Sequence, residues 1–316
     1  MKILYYPIIS AADLNSTQVG DYLADTLFHG LRSLLGDDIV DGWRMWHMYK
    51  KDKDEHPEVF AKLGGKGFTT SGLLPSDDNV DRDDIWRKVS KNYYDYIVSP
   101  IHQTENGNYE TIWSHLQTLT YHYSKEKVIL VDGWDRPDVD PRFINKCIYF
   151  KRELKYKHRQ TIFPLSFSIP EVKITTPLEK EFDFAPLGHE SICVYDDEQS
   201  YYDDYRQSYF AHARKKEGWD SMHHYEILAC GCIPFFTDIE NCPQFTMRRF
   251  PKELCMQAKK LAGVSGKNRG RIDFDKFDKQ TYEDLNHLFM DHTRKYLTTI
   301  STAKYFLEKV KQWVSI

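Results

Sequence analysis

Between residues 214 and 226 the chain reads RKKEGWDSMHHYE, and the types and spacing of these residues suit the binding of a phosphorylated ligand. Ser221, following Asp220, suits a helix N-cap, and Ile227, Leu228, Ala229 and Cys230 give that helix a buried end that stops at Gly231. The start of a helix leaves its first backbone N–H groups unpaired and carries partial positive charge, which favours an anion such as phosphate. Arg214, Lys215 and Lys216 add cations just upstream, Gly218 allows close backbone approach, and His223 and His224 add donors. One turn into the helix, Glu226 can accept two hydrogen bonds from a vicinal diol such as a ribose. Together they make a nucleoside-diphosphate site. A second reading of the same residues is a solvated basic loop, with Glu226 paired to a neighbouring lysine.

The elements that would position this segment alternate strand and helix. KILYYPI reads as a first strand, and Leu23, Leu27, Leu31, Leu34 and Leu35 recur at helical spacing before Gly36. DIVDGW is a second strand. Residues 49–85 are charged and glycine-punctuated, so LGGKGFTTSGLL predicts a loop with a short strand. DDIWRKVSKN predicts a helix before YDYIVSP, a strand ended by its proline. The helical NYETIWSHLQTLTYHY then leads into KVILVDGWD, the strongest buried strand. Such alternation argues for an α/β fold with a parallel sheet covered on both faces. Ligands gather at the carboxyl ends of such strands, which draws attention to His102 after YIVSP and to Asp132 and Asp135 after VILV. Residues 171–181 read as a linker, after which the pattern restarts. FDFAPLG and SYFAHA are strands around the polar helix EQSYYDDYRQ. SMHHYEILACG and CIPFFTD follow as helix and strand, with helices near 251–262 and 281–313.

The 316 residues suit two domains of roughly 150 residues each. The 41% hydrophobic and 28% charged content is that of an ordinary folded protein, and the net charge of −4 gives no global attraction to nucleic acid. The 21 tyrosines and 7 tryptophans suit clefts that hold sugars or bases. Six cysteines (Cys147, Cys193, Cys230, Cys232, Cys242 and Cys255) form no CxxC pair, so buried thiols in a reducing compartment are expected. With no leader pattern and no run of 18 apolar residues, the expectation is a cytoplasmic protein. No HExxH is present, and His287 and His292 lack metal-ligand spacing, which disfavours a zinc hydrolase.

The stretch KKEGWDSMHHYEILACGCIPFFTDIENCP resembles the donor-site segment of GT-B glycosyltransferases, particularly exostosin-like and related viral or bacterial members. Those show a basic or polar residue, then Tyr-Glu, then a small-residue run ending Gly-x-Ile-Pro. EFDFAPLG also resembles the strand that opens their C-terminal domain. The resemblance covers residues 181–245 and is only architectural before that. It implies two Rossmann-like domains facing across a cleft: an acceptor domain at 1–170 and a donor domain at 171–300. A C-terminal helix, 301–316, would pack back on the first domain. It also implies that Glu226 holds the nucleotide ribose and that the segment around it, Arg214, Lys215, Gly218, Ser221, Met222, His223 and Tyr225, holds the rest of a nucleotide-sugar. Neither metal nor other cofactor is implied, because cations and helix dipoles neutralise the diphosphate. One departure stands out: the family commonly has arginine three residues before the glutamate, where this chain has His223. Diphosphate binding would then weaken as pH rises, or Arg214 and Lys215 would carry the load.

For such an enzyme Asp21, after Gly20 at the start of the first helix, is the first candidate for a catalytic base. Its other reading is a helix-start acid favoured by the dipole. His102 is the second candidate, set against an ordinary surface histidine. Asp132 and Asp135 in VDGWDRPD are possible acceptor contacts or only turn residues. Lys151 and Arg152 in YFKREL either reach the donor phosphates across the cleft or form a charged helix face. The acceptor expected from the resemblance is a glycan. The alternative is a hydroxymethylated base in DNA, supported locally by KKLAGVSGKNRGR at 259–271, with five basic residues and no acid. A non-catalytic nucleotide- or sugar-binding module is the third reading.

Overall fold

The computed structural model describes residues 1–8, 20–101, 109–156, 162–186 and 194–314. Its apolar runs form a mixed α/β fold with two separate parallel sheets. The first is built from β1 (Ile3–Tyr5), α1 (Tyr22–Leu35), β2 (Ile39–Asp41), the short helices α2 (Lys50–Glu55), α3 (Pro57–Phe60) and α4 (Ile85–Ser90), β3 (Tyr96–Ile101), α5 (Tyr109–His122), β4 (Val128–Asp132), β5 (Ile148–Lys151) and β6 (Ile162–Pro164). Its order is β2-β1-β3-β4-β5-β6, with every pair parallel. Both faces are covered, which is why VILVD is apolar without alternation. Ile129 and Val131 join the core beneath α1, while Val128 and Leu130 join Ile112, Leu116 and Leu119 of α5 on the other face.

The second sheet has the parallel order β7 (Phe182–Phe184), β8 (Ser208–Ala213), β9 (Ile233–Phe236). Between these strands lie α6 (Glu198–Arg206) and α7 (Met222–Ala229). After them come α8 (Lys252–Ala258), an antiparallel hairpin of β10 (Val264–Ser265) and β11 (Arg271–Ile272), α9 (Lys279–His292) and α10 (Thr299–Val314). α10 packs on α1 of the first sheet, burying Ala303, Phe306 and Val310 beside Leu27, Phe28 and Leu31. Gly30 permits that approach: a Cβ there would lie 2.2 Å from the Thr299 carbonyl oxygen.

Four local expectations differ from the structure. Residues 281–313 are not one helix, because Thr298 is extended between α9 and α10 and its neighbours bond to Ile169 (Ile169 N–H to Leu297 carbonyl 2.9 Å, Thr299 N–H to Ile169 carbonyl 3.0 Å). Glu171 then accepts from the Ile300 N–H at 3.0 Å and the Thr299 hydroxyl at 2.9 Å, satisfying donors at the start of α10. YFKREL is not a helix face: its first half belongs to β5, where Lys151 lies opposite Asp132. β3 continues through Pro100 to Ile101, because the proline carbonyl still accepts from Ile8 at 3.0 Å. The loop around LGGKGFTTSGLL holds no strand, only an isolated bridge between Tyr49 and Leu74. Among the described residues, Cys147, Cys230, Cys232, Cys242 and Cys255 are free and buried, and no helix is long and apolar enough to cross a membrane. Cys193 lies outside the described residues.

Candidate functional site

A cleft of about 690 Å³ opens between the two sheets. One wall is made at the carboxyl end of the first sheet by Gly20, Asp21 and Tyr22 at the start of α1 and by Gly133 and Asp135 after β4. The strand order reverses between β1 and β3, the place where a doubly wound sheet opens a crevice. The other wall is the segment entering α7, from Lys216 to Glu226. Phe167 and Phe68 add aromatic surface.

α7 begins as its residues require. Ser221 is an extended N-cap whose side chain makes no capping bond, and Met222 and His223, the first helical residues, line the cleft. The two histidines part company there. His223 is partly exposed on the cleft side, whereas His224 is buried against Phe236. Burial, then the neighbouring charges of His223 and Lys216, push His224 down to about 3, so it is neutral. Arg214 and Lys215 are exposed and do not line the cleft; Lys216 does. Its ammonium is pushed below the ordinary lysine value by burial and by Arg214, against the pull of Glu226. Of the three expected cations Arg214, Lys215 and Lys216, the last is the one that lines the cleft.

Glu226 is buried and held at both oxygens. The Thr69 hydroxyl donates to Oε1 and the Tyr201 hydroxyl to Oε2, while His223 Nδ1 lies 3.1 Å from Oε2. Thr69 Oγ1 also bonds the Tyr202 hydroxyl at 2.8 Å, and Tyr201 reaches His223 Nδ1 at 2.9 Å. Burial alone would raise this carboxyl. The hydrogen bond and charge of His223, with the two hydroxyls, outweigh burial and hold it below its ordinary value.

Tyr225 does not line the cleft. It is fully buried, and its hydroxyl donates to Asp220 Oδ1 at 2.8 Å. Asp132 and Lys151 do not line the cleft either; they form a buried pair at 3.0 Å with the Tyr149 hydroxyl 2.6 Å from Asp132 Oδ2. Arg152 borders the cleft but is spent on protein groups. Its Nε donates to the Gly133 carbonyl at 2.9 Å, and its two Nη atoms reach the Asp220 carbonyl and Asp135. Its guanidinium sits 4.7 Å over the Phe167 ring. It ties the end of β4 to the segment before α7. Gly218 has a local reason as well: a Cβ there would come within 2.5 Å of Asp135 Oδ1 and 2.6 Å of Glu153 Oε1. Glu153 and Asp220 lie at this contact, and burial raises both carboxyls despite the opposing charge of Arg152.

Asp21 lines the cleft and caps α1, its Oδ1 accepting from Leu23 at 2.9 Å and Ala24 at 3.1 Å. His102 lies outside the described residues. Sequence reasoning missed Thr69, Tyr201, Phe68 and Phe167. The only signal for the first was the glycine-punctuated loop that carries it; nothing in the pattern joined that loop to α7. Among the described residues no group of three or more His, Cys, Asp or Glu side chains is placed to hold a metal ion. Comparison with protein-family models, curated proteins and solved structures returned no match. The likeness to GT-B enzymes thus rests on the sequence segment at 181–245.

Proposed function

We propose that the chain is a glycosyltransferase of GT-B type, with two Rossmann-like domains that bind a nucleotide-sugar between them. The observation that carries this reading is the uncapped start of α7, flanked by Lys216 and His223, opening into the cleft opposite Asp21. The diphosphate would lie against the first amides of α7, with Lys216 and His223 supplying charge. Glu226 would take the ribose diol, and the aromatic wall of Tyr22 and Phe167 would border the sugar. An acceptor hydroxyl attacks the anomeric carbon, its proton passes to a base, and the bond to the diphosphate oxygen breaks. Asp21 is the candidate base on the acceptor side. The acceptor on this reading is a glycan hydroxyl.

Thermal-shift measurements against UDP, GDP, ADP, CMP and their sugars, followed by turnover with the best donor, test the reading. A ligand at 100 times its Kd adds about 2.7 kcal/mol of apparent stability. Stabilisation by one nucleoside diphosphate together with sugar transfer is expected. Stabilisation without transfer or donor hydrolysis would leave a binding module, and no stabilisation by any nucleotide would overturn the proposal.

A second reading of the acceptor has one observation behind it. Lys267, Arg269 and Arg271 are exposed at the β10–β11 hairpin, where a nucleic-acid backbone could lie.

A further inference from the structure

A ribose diol needs carboxylate oxygens that can accept from it, yet Glu226 is buried with Thr69, Tyr201 and His223 already around it. Tyr201 and His223 stand on α6 and α7, and Tyr201 is fully buried among rings. Thr69 alone of the three comes from a loop, and that loop belongs to the chain preceding β3. The loop is built from unusual backbone. Gly65, Gly67 and Gly72 take φ of 60°, 64° and 68°, as glycine readily does. Lys66 and Thr69 take φ of 53° and 69°, where a β-branched residue such as threonine is strained. Its conformation is held by contacts to the second half of the chain. The Lys66 ammonium donates to the Tyr195 carbonyl, the Thr69 N–H donates to Glu198 Oε1 at 2.8 Å, and the Phe68 ring lies 5.8 Å from that of Tyr201.

We propose that residues 64–72 form a gate over the ligand site, in which the Thr69 hydroxyl occupies Glu226 until a ligand hydroxyl takes its place. This rests on the nucleotide-sugar reading of the cleft. Glycines on both sides of Thr69 supply the hinges, and release of the strained Lys66 and Thr69 backbone favours opening. Because Phe68 lines the cleft, the same motion widens the cavity. The free protein is then held mostly in a state that binds weakly, and any change that loosens the gate raises apparent affinity.

Titration of wild type, Thr69→Val, Thr69→Ser and Lys66→Ala with UDP, GDP and ADP tests the gate. Thr69→Val deletes the hydroxyl, and Lys66→Ala removes an anchor distant from Glu226; each is expected to tighten binding by about tenfold. Thr69→Ser keeps the hydroxyl and is expected to bind within a few-fold of wild type. Hydrogen exchange on the wild type gives a second readout that does not depend on variant folding. Saturating nucleotide should speed exchange across 64–72 while slowing it at 222–226. Weaker binding by Thr69→Val together with ligand protection of 64–72 would make Thr69 part of the bound site and overturn the gate, leaving the donor reading intact. Absence of nucleotide binding by the wild type and by every variant would overturn both.

Discussion

Glu226 contributes to stability and to the proposed binding through the same carboxylate, and the two contributions separate by pH. Its carboxyl is held below its ordinary value of 4.5, so the stability it contributes is complete above that value and is lost as pH falls through the lower folded value. Glu153 and Asp220 carry the opposite sign: their raised carboxyls take up protons in the folded state first, so acidification favours folding at those positions. Glu226→Gln is therefore expected to flatten the acid limb of stability below about pH 4.5, measured by urea unfolding at a series of pH values. An acid limb identical to that of the wild type would remove Glu226 as its source. Above that range the same variant should weaken nucleotide binding by roughly 10- to 150-fold, the equivalent of about 1.5–3 kcal/mol for hydrogen bonds to a charged group. The neighbouring lysines divide in the same manner. Lys216→Ala should weaken a nucleoside diphosphate far more than the bare nucleoside, whereas Lys215→Ala, exposed and outside the cleft, should change neither. Equal losses for both ligands on Lys216→Ala would show that this loop does not read phosphate.

Elements whose side chains meet one environment along their length were legible in the sequence; those that mix environments were not. VILVD lies between two apolar layers and IPFF is buried along its whole length, so an unbroken apolar run was enough to place β4 and β9. β5 was hidden because Lys151 sits at full burial in a strand, a position that pattern reading gives to an apolar residue; its partner Asp132 lies one strand away. The entry to α7 was legible because capping and helix-start chemistry are local. The partners of Glu226 were not, since Thr69 is 157 positions distant and reaches it only through the tertiary fold. The α1–α10 contact belongs to the same class of long-range fact. Gly30 lies inside α1, where glycine costs helix propensity, yet it is the place where the Thr299 carbonyl passes. Gly30→Ala should gain helix propensity and still destabilise the protein by about 1–3 kcal/mol, because the added methyl forces the helices apart. Urea unfolding monitored by circular dichroism measures the sign, and a stabilised variant would contradict the packing described here.

At the scale of the whole molecule the chain crosses between the sheets twice, and the two crossings are joined. Ile169 bonds to both Leu297 and Thr299, while Glu171 caps the helix that returns to α1. The cleft lies beside this junction, with Phe167 at its edge and Asp220 bonded to the Phe167 N–H at 2.8 Å. On the proposed glycosyltransferase reading an acceptor would approach from outside, and the distribution of charge separates the two candidates. A net charge of −4 repels a polyanion in general, so DNA would depend on the local basic hairpin. Neutralising Lys267, Arg269 and Arg271 together removes at most three phosphate contacts, which would flatten the log–log salt dependence of duplex binding by up to about 2.7. Donor affinity should be untouched, since none of the three lines the cleft. With a glycan acceptor, the wild type should bind DNA only weakly, and the triple variant should transfer sugar at the wild-type rate. Incorporation of labelled sugar into hydroxymethylated DNA, beside a pool of glycan acceptors, decides between them. Transfer to DNA that vanishes in the triple variant would replace the glycan with DNA as acceptor, because only a backbone-held substrate depends on those three charges.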